Sequence, residues 1–537
     1  MRELILILIH IWIGITMDPV VAKAHRKLPL VDPLSRNRPT ILIAHGLCLW
    51  NRIIKQTKQT NLPVELYQLI LLRSDFLTQI RLQCACKMFY GRLEIHDFLN
   101  IGSKYLKLLS DEILRSHITI VKLDASRNIN ITDVNHLTRL QVLYAEENCG
   151  ISDQSIRKLN LIELNADDNI AITNLNHMTN LRILKAHGTS GIDNAGITGL
   201  GLTKLKAWNN PKITNVNHMT NLQVLYASMK CGINDAGIAK INPRKLYIPG
   251  NPRITNVNHM TNLEVLYIDS DDDECGVGDA GIRDLKLKEL YASYNSKITD
   301  LNHMTILEIL EVSGYCGVDD AGITKLNVKT LHAYHNQKIT NVNHMTNLEE
   351  LNIGSDCGIG DDGISKLNLK VLYANDNPNI LNISHMTRLE RLGVCGSISN
   401  IGDEQLTQLN LLELNMDNNS KITTINHMTK LRLLWAGGDC GIDDTGISKL
   451  NLQKLSVYDN PKITDVNHMT ELNYLDAGGN CGLRDRGIRK INARELCVDN
   501  NPKISDVRHM SRLEFLSARG GWKIAYGKNV NLDRCVD

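Results

Sequence analysis

The chain has 537 residues, with 60 Lys and Arg against 58 Asp and Glu and a formal net charge of +2. With the two signs nearly balanced, no overall field draws nucleic acid or an anionic membrane surface, and neither is expected as a partner. Thirteen cysteines, an odd number in a long chain, argue against a fully paired secreted framework and for reduced thiols.

Residues 1–60 begin MRELILILIHIWIGITM and reach a small-residue pattern at Ala22 and Ala24, as a secretory signal would. The apolar run is shorter than the roughly 20 residues a membrane helix needs, so no stable span is expected. The other reading is a poorly structured leader, or an extended start whose working initiation lies downstream, for example at Met17.

Residues 61–93, NLPVELYQLILLRSDFLTQIRLQCACKMFYGRL, carry apolar residues at helical spacing: Leu66, Leu69 and Ile70, then Leu77, Ile80 and Cys84. Pro63 suits a first helical turn, where its missing N–H is not needed. Three of the four Phe (Phe76, Phe89, Phe98) lie within the 23 residues 76–98, which sets that window apart from the rest of the chain. LP-x-EL, the following Ile70, Asp75, Ile80-Arg81-Leu82 and Cys86-Lys87-x-Phe89-Tyr90 resemble the F-box, the helical module that docks on Skp1 in SCF-type ubiquitin ligases. The resemblance implies that Leu62, Pro63, Leu66, Ile70 and Leu71 contact Skp1, with Ile80, Leu82 and Phe89 shared between that surface and the module's own packing. Ser74 and Gln79 stand where the family has apolar residues, which implies a weaker grip on Skp1. The module is expected over 61–100, followed by a helical linker over 101–117.

From about residue 118 to 520 the sequence repeats. Asn-His pairs stand at 135–136, 176–177, 217–218, 258–259, 302–303, 343–344, 426–427 and 467–468, with variants Ser384-His385 and Arg508-His509. The interval is 41 residues except for one step of 44 and one of 42. A second ladder, Asn128, Asn169, Asn210, Asn251, Asn295, Asn336, Asn377, Asn419, Asn460 and Asn501, runs in step with it. Each period divides again, since 202–221 and 222–242 both begin Leu-x-x-Leu-x-apolar, so the unit is 20 or 21 residues. This resembles the leucine-rich repeat, L-x-x-L-x-L-x-x-N/C-x-I/L, and implies an α/β solenoid (horseshoe) of about twenty units, each one short strand and a return segment. Residues 521–537 are left as a tail.

Stacking assigns the positions. The leucines and the Ala, Ile or Val that follows alternate inward, and the residues between them face the concave side. The ladder Asn is placed to satisfy backbone groups that turning leaves unpaired inside the coil. In the second unit Cys149, Cys231, Cys275, Cys316, Cys357, Cys440 and Cys481 take that place, one residue later than in the similar Cys-bearing repeats of F-box proteins. One unit departs further: Cys395 precedes the slot, and VCGSISNIGD carries an extra residue. Asp235, before Ala236 and Gly237, is expected to cap a short helix on the convex side.

Ten laddered histidines suggest a metal, but equivalent positions lie two coils apart, roughly 9–10 Å. Zn²⁺ needs its ligands at about 2.0–2.1 Å from one centre, so packing of the convex turn is the expectation and no metal or cofactor is. The same spacing exceeds the Cα separation of about 4.4–6.8 Å that a disulfide allows, so the laddered Cys are expected as small buried hydrophobes.

The concave inter-leucine position reads Tyr144, Lys185, Lys206, Tyr226, Tyr247, Tyr267, Tyr291, Glu311, His332, Asn352 and Tyr373, with Trp208 and Tyr334 two places further along their strands. Tyr and Trp are residues that interfaces favour, and Tyr also suits an exposed strand without any ligand. A target-binding face is expected on Lys206, Trp208, Tyr226, Tyr247, Tyr267, Tyr291, His332 and Tyr334. The 44-residue period contains IDSDDDECG (268–276), whose Asp269, Asp271, Asp272, Asp273 and Glu274 fit a solvated loop, a basic partner or Ca²⁺.

The whole resembles F-box/leucine-rich repeat proteins, in particular the repeat-rich versions of large DNA viruses of amoebae. That implies a non-catalytic, cytoplasmic adaptor, in the host cytoplasm if the protein is viral. It would link an unknown target protein to Skp1 and through it to a cullin ligase. The alternative is a secreted or surface leucine-rich protein-binding module with a cleaved signal and no ubiquitin role.

Overall fold

One 41-residue period folds as two turns of a parallel solenoid that return by different routes. In the turn opened by Leu202, strand Lys204–Lys206 leads to Asn210 and a return stretch without a helix. In the turn opened by Leu222, strand Val224–Tyr226 leads to Cys231 and the one-turn helix Asp235–Ile238. The computed structural model describes residues 96–99, 106–115, 119–269, 275–520, 523–527 and 530–532. The leader expected over 1–60 and nearly all of the expected F-box lie outside the described residues, as do 270–274 of the acidic insertion.

The described chain divides into two units, one up to residue 185 with 189–191, the other 186–188 with everything from 192 on. In the first, strands Asp97–Phe98, Lys122–Asp124, Val142–Tyr144, Glu163–Asn165 and Ile183–Lys185 pair in parallel, each with the next. In the second, the same pairing runs from Lys204–Lys206 to Asn531–Leu532. The register never slips: Leu205, Leu225, Leu246, Leu266, Leu290 and Leu310 stand opposite one another in turn. The fold is thus a leucine-rich repeat solenoid of about twenty turns.

Two expected boundaries move. Asp97–Phe98, assigned above to the F-box, is a strand paired to Lys122–Leu123. Asp111–Arg115, assigned to a helical linker, occupies the place of the return helix. The Asp111 carboxylate accepts the Thr132 amide at 2.7 Å, as the equivalent Asp does in later turns. The solenoid therefore begins upstream of 118, missed because these turns lack the Asn-His wording. At the other end the tail continues the sheet, with Ala525 bridged to Asp506 and Asn531–Leu532 paired to Phe515–Leu516.

The interior is columns of identical positions. Leu225, Ala227, Ile233 and Ile238 of one turn are fully buried; each large side chain contributes about 1.5–3 kcal/mol on leaving water. Strands stop after three residues because a left-handed residue follows, Asn209 (φ 58°) in one turn and Met229 (φ 57°) in the next. In the first kind the ladder Asn comes immediately after it; in the second one exposed residue, Lys230, intervenes before Cys231. That insertion is why Cys falls one place late. In the departing unit the slot is filled by buried Ser399, with Ile398 exposed beside it.

The ladder Asn acts as expected. Asn251 is fully buried, donates to the carbonyls of Ala227 (2.6 Å) and Ile233 (3.3 Å), and accepts the Arg253 amide at 2.9 Å. Turns stack so closely at the helix that a Cβ on Gly237 would sit 2.0 Å from the Thr214 carbonyl oxygen. A side chain at this position would force the neighbouring turn to shift, and the equivalent residue is glycine in most turns, with Ser155 and Gln405 as exceptions.

The Asn-His pair joins turns on the return side. Asn258 donates to the Ala280 carbonyl of the following helix at 2.7 Å, while His259 Nε2 donates to the Ile238 carbonyl ending the preceding helix at 3.0 Å. The same His bond recurs at His218, His303, His344, His427, His468 and His509. Asp235 is not the helix cap. Asn234 holds that position, its side chain accepting the Gly237 amide at 3.0 Å. Asp235 is the first helical residue, and its carboxylate reaches forward to Thr255. Sequence could not separate the two, since Asn and Asp both cap helices.

Candidate functional site

A parallel sheet in strict register brings the same position of neighbouring strands about 4.8 Å apart. Flat side chains repeated at one outward position must therefore stack. Tyr226 and Tyr247 do so with ring centroids 4.1 Å apart and planes 5° from parallel. Tyr247 and Tyr267 follow at 4.4 Å and 18°, Tyr267 and Tyr291 at 3.9 Å and 3°. Each contact contributes about 0.5–1.5 kcal/mol beyond buried area. The rings cover one another's faces, so a row of ring edges remains on a half-buried surface. Burial, together with neighbouring phenols and Glu289, pushes the Tyr247 and Tyr267 hydroxyls well above the usual phenol range, and burial does the same for Tyr291. Tyr247, Tyr267 and Tyr291 are therefore uncharged at any physiological pH.

Lys206 closes one end of the stack, its Nζ 5.0 Å from the Tyr226 centroid, with Lys204 at 5.7 Å from the same ring. At the other end the Tyr291 hydroxyl donates to Glu289 at 3.3 Å, and Glu311 is next in the column. His332 then lies between two carboxylates, Nδ1 3.8 Å from Glu311 and Nε2 3.5 Å from Glu350. The adjacent Glu311 carboxylate raises the imidazole above the ordinary histidine value, against the opposing effect of burial.

Of the eight residues expected on this face, five form one continuous column: Lys206, Tyr226, Tyr247, Tyr267 and Tyr291. His332 sits two strands beyond. Trp208 lies one column over, packed on His187 at 4.2 Å and 33°. Tyr334 shares that second column, edge-on to His335 at 4.3 Å and lying against Gly354. The sequence reading missed Lys204, Lys245 and Glu289 because it followed the position between leucines, whereas these precede the central leucine and also face out. Reading both outward positions of each strand would have found them. The expected Skp1 contacts, Leu62, Pro63, Leu66, Ile70, Leu71, Ile80, Leu82 and Phe89, lie outside the described residues, as do Asp271, Asp272, Asp273 and Glu274.

The laddered Cys carry no disulfide and all but half-buried Cys149 are buried, which pushes the thiols of Cys231, Cys275, Cys316, Cys357, Cys440 and Cys481 up to about 11. Among the described residues no group of three His, Cys, Asp or Glu is placed to hold a metal ion, and no helix is long and apolar enough to cross a membrane.

No family model matches the chain, and no curated protein matches it. Solved structures do. The complex of TLR13 with ssRNA13 is 15% identical, with a TM-score of 0.42, over 75% of this chain and 65% of that one. The leucine-rich repeat protein LIC12759 of Leptospira interrogans is 15% identical, with a TM-score of 0.29, over 76% of this chain and 92% of that one. The functional domain of InlJ from Listeria monocytogenes, described as including a cysteine ladder, is 17% identical, with a TM-score of 0.30, over 75% and 74%. The chain thus spans about two thirds of the TLR13 chain.

Proposed function

We propose that this chain is a non-catalytic recognition protein that holds a target polypeptide against the strand face of its solenoid, and that it is the recognition adaptor of an SCF-type ubiquitin ligase. The first half rests on the stacked column Tyr226, Tyr247, Tyr267 and Tyr291, facing outward where the core makes no demand on residue type. The second half is supported by residues 61–93, where Leu62, Pro63, Leu66, Ile70 and Leu71 would hold Skp1 and, through it, a cullin. The mechanism is tethering, which raises the effective concentration of target lysines near the ubiquitin-charged enzyme.

Two measurements test the halves separately. A photo-cross-linking residue at position 247 should trap a discrete partner in cells, and the same residue at return-side position 286 should not; equal labelling at both removes the recognition reading. Mixed with purified Skp1, the full chain should co-elute, and Pro63→Ala with Leu66→Ala should separate the two. Failure of the unaltered chain to retain Skp1 ends the adaptor reading, and an N-terminus cleaved near Ala24 would replace it with the secreted one.

A further inference from the structure

The strand face carries its charges in an order that the aromatic stack divides. From strand Lys204–Lys206 to strand Glu350–Asn352, take the residues flanking each central leucine, which are exposed or half-buried except for buried Val265. The cations are Lys204, Lys206 and Lys245, and the carboxylates are Glu289, Glu311 and Glu350. All three lysines precede strand Val265–Tyr267 and all three glutamates follow it. Val224 and Val265 occupy the flanking position between them. In the central column the order is contiguous: Lys206, Tyr226, Tyr247, Tyr267, Tyr291, Glu311.

Among the charges just outside this set, half-buried Asp269 lies two places beyond Tyr267, on the strand where the sign changes. One place earlier along the strands Arg244, Glu264, Lys288, Glu308, Lys329, Glu349 and Lys370 alternate in sign. They neutralise one another in pairs, with Arg244 2.8 Å from Glu264, Lys329 2.7 Å from Glu308 and Lys370 2.9 Å from Glu349. That edge has no net direction. The face beside it does, because no carboxylate interrupts the lysines and no lysine or arginine interrupts the glutamates at the flanking positions.

Resting on the recognition reading above, we infer that the occupant of this face is an extended polypeptide segment lying across the strands, with an acidic residue at the Lys206 end and a basic residue at the Glu311 end. Charge complementarity fixes which end meets Lys206 and which meets Glu311, whatever the polarity of its backbone. Lys206 and Glu311 are five strand steps apart, which at about 4.8 Å per step is about 24 Å. An extended chain advances about 3.3–3.4 Å per residue, so the two charged residues of the segment are about seven residues apart. Between them the segment presents apolar side chains to the ring edges, because a charge there would lose water without gaining a partner. A nucleic acid does not fit this order, since its phosphates would meet Glu289, Glu311 and Glu350 along half of the face.

The test is selection of random dodecapeptides on the full chain, with a counter-selection on Tyr247→Ser/Tyr267→Ser. The expected consensus is an acidic residue followed or preceded, about seven positions away, by Lys or Arg, with apolar residues between. Glu311→Lys should weaken a selected peptide about tenfold, and reselection on that variant should replace its basic residue by an acidic one. Glu350→Lys is the second variant should Glu311→Lys fail to fold. Peptides that need the tyrosines but show no spaced pair of opposite charges overturn this inference and leave the recognition face standing. Peptides that bind equally to the serine variant, or none at all, overturn both.

Discussion

The Asp235 carboxylate accepts the Thr255 amide at 2.7 Å and the Thr255 hydroxyl at 2.6 Å, joining one turn's helix to the return stretch of the next. The same pair recurs as Asp153 with Thr173, Asp320 with Thr340 and Asp403 with Thr423. Because these bonds cross between turns, they contribute to the nearest-neighbour coupling that holds a solenoid together. Asp235→Ala should cost about 1–2 kcal/mol, and Thr255→Val less, since it leaves the amide bond in place. A double-mutant cycle by denaturant unfolding checks this, and additive losses would show that the two side chains do not act together.

Asn251→Ala should cost more. It leaves the Ala227 and Ile233 carbonyls and the Arg253 amide without the partner they have in the interior. A buried unsatisfied group costs about 1–3 kcal/mol, so a loss on the order of 3 kcal/mol is expected, with hydrogen exchange accelerating first in turns 222–268. Exchange that rises uniformly over the whole chain would contradict a local role.

How much of this was legible follows from what a repeat constrains. Leu225, Ala227, Asn251 and Gly237 each serve a column in which every turn meets the same neighbours, so their repetition exposes their roles. Asp235 recurs from turn to turn while the residue before it varies, as in Asn234, Gly278 and Gly360, so repetition drew attention to the Asp although Asn234 caps this helix. The first strand, Asp97–Phe98, was missed because the turns at the ends meet a neighbour on one side only and so lose the shared wording. The tyrosine column was visible as letters, but its stacking depends on the unbroken register from Leu225 to Leu290. The charge order depends on residues whose outward direction only the strand pairing reveals.

The laddered thiols give a chemical prediction. Burial that raises Cys231, Cys316 and Cys481 to about 11 leaves almost no thiolate at pH 8 and no access for a reagent. Ellman's reagent should leave them unmodified in the native chain and react with them after denaturation. Half-buried Cys149 and Cys395 are the described exceptions in access, though burial still raises both thiols, Cys395 to about 12. Their modification should therefore be slow. Rapid native reaction at Cys231 would mean that turns open locally far more than their packing implies.

His332 offers a reading of the face's electrostatics through pH. Its partners are Glu311 on the preceding strand and Glu350 on the following one, and the Glu311 carboxylate raises the imidazole above its unfolded value of about 6.5. A raised histidine binds its proton more tightly when folded. Its stabilising contribution is full below pH ~6.5 and disappears as pH rises through the raised folded value. Glu311 shifts the other way, held below the ordinary carboxylate value by the same histidine and by the Ser293 hydroxyl. Its contribution is present above about pH 4.3 and is lost as pH falls through its lowered folded value. The pair is therefore strongest between those limits, near pH 5 to 6.5. The melting temperature of the native chain should exceed that of His332→Gln most in this window, and the gap should close by pH 8 to 9. A gap that widens with rising pH would show that the neutral imidazole, rather than its ion pairs, stabilises the strand face.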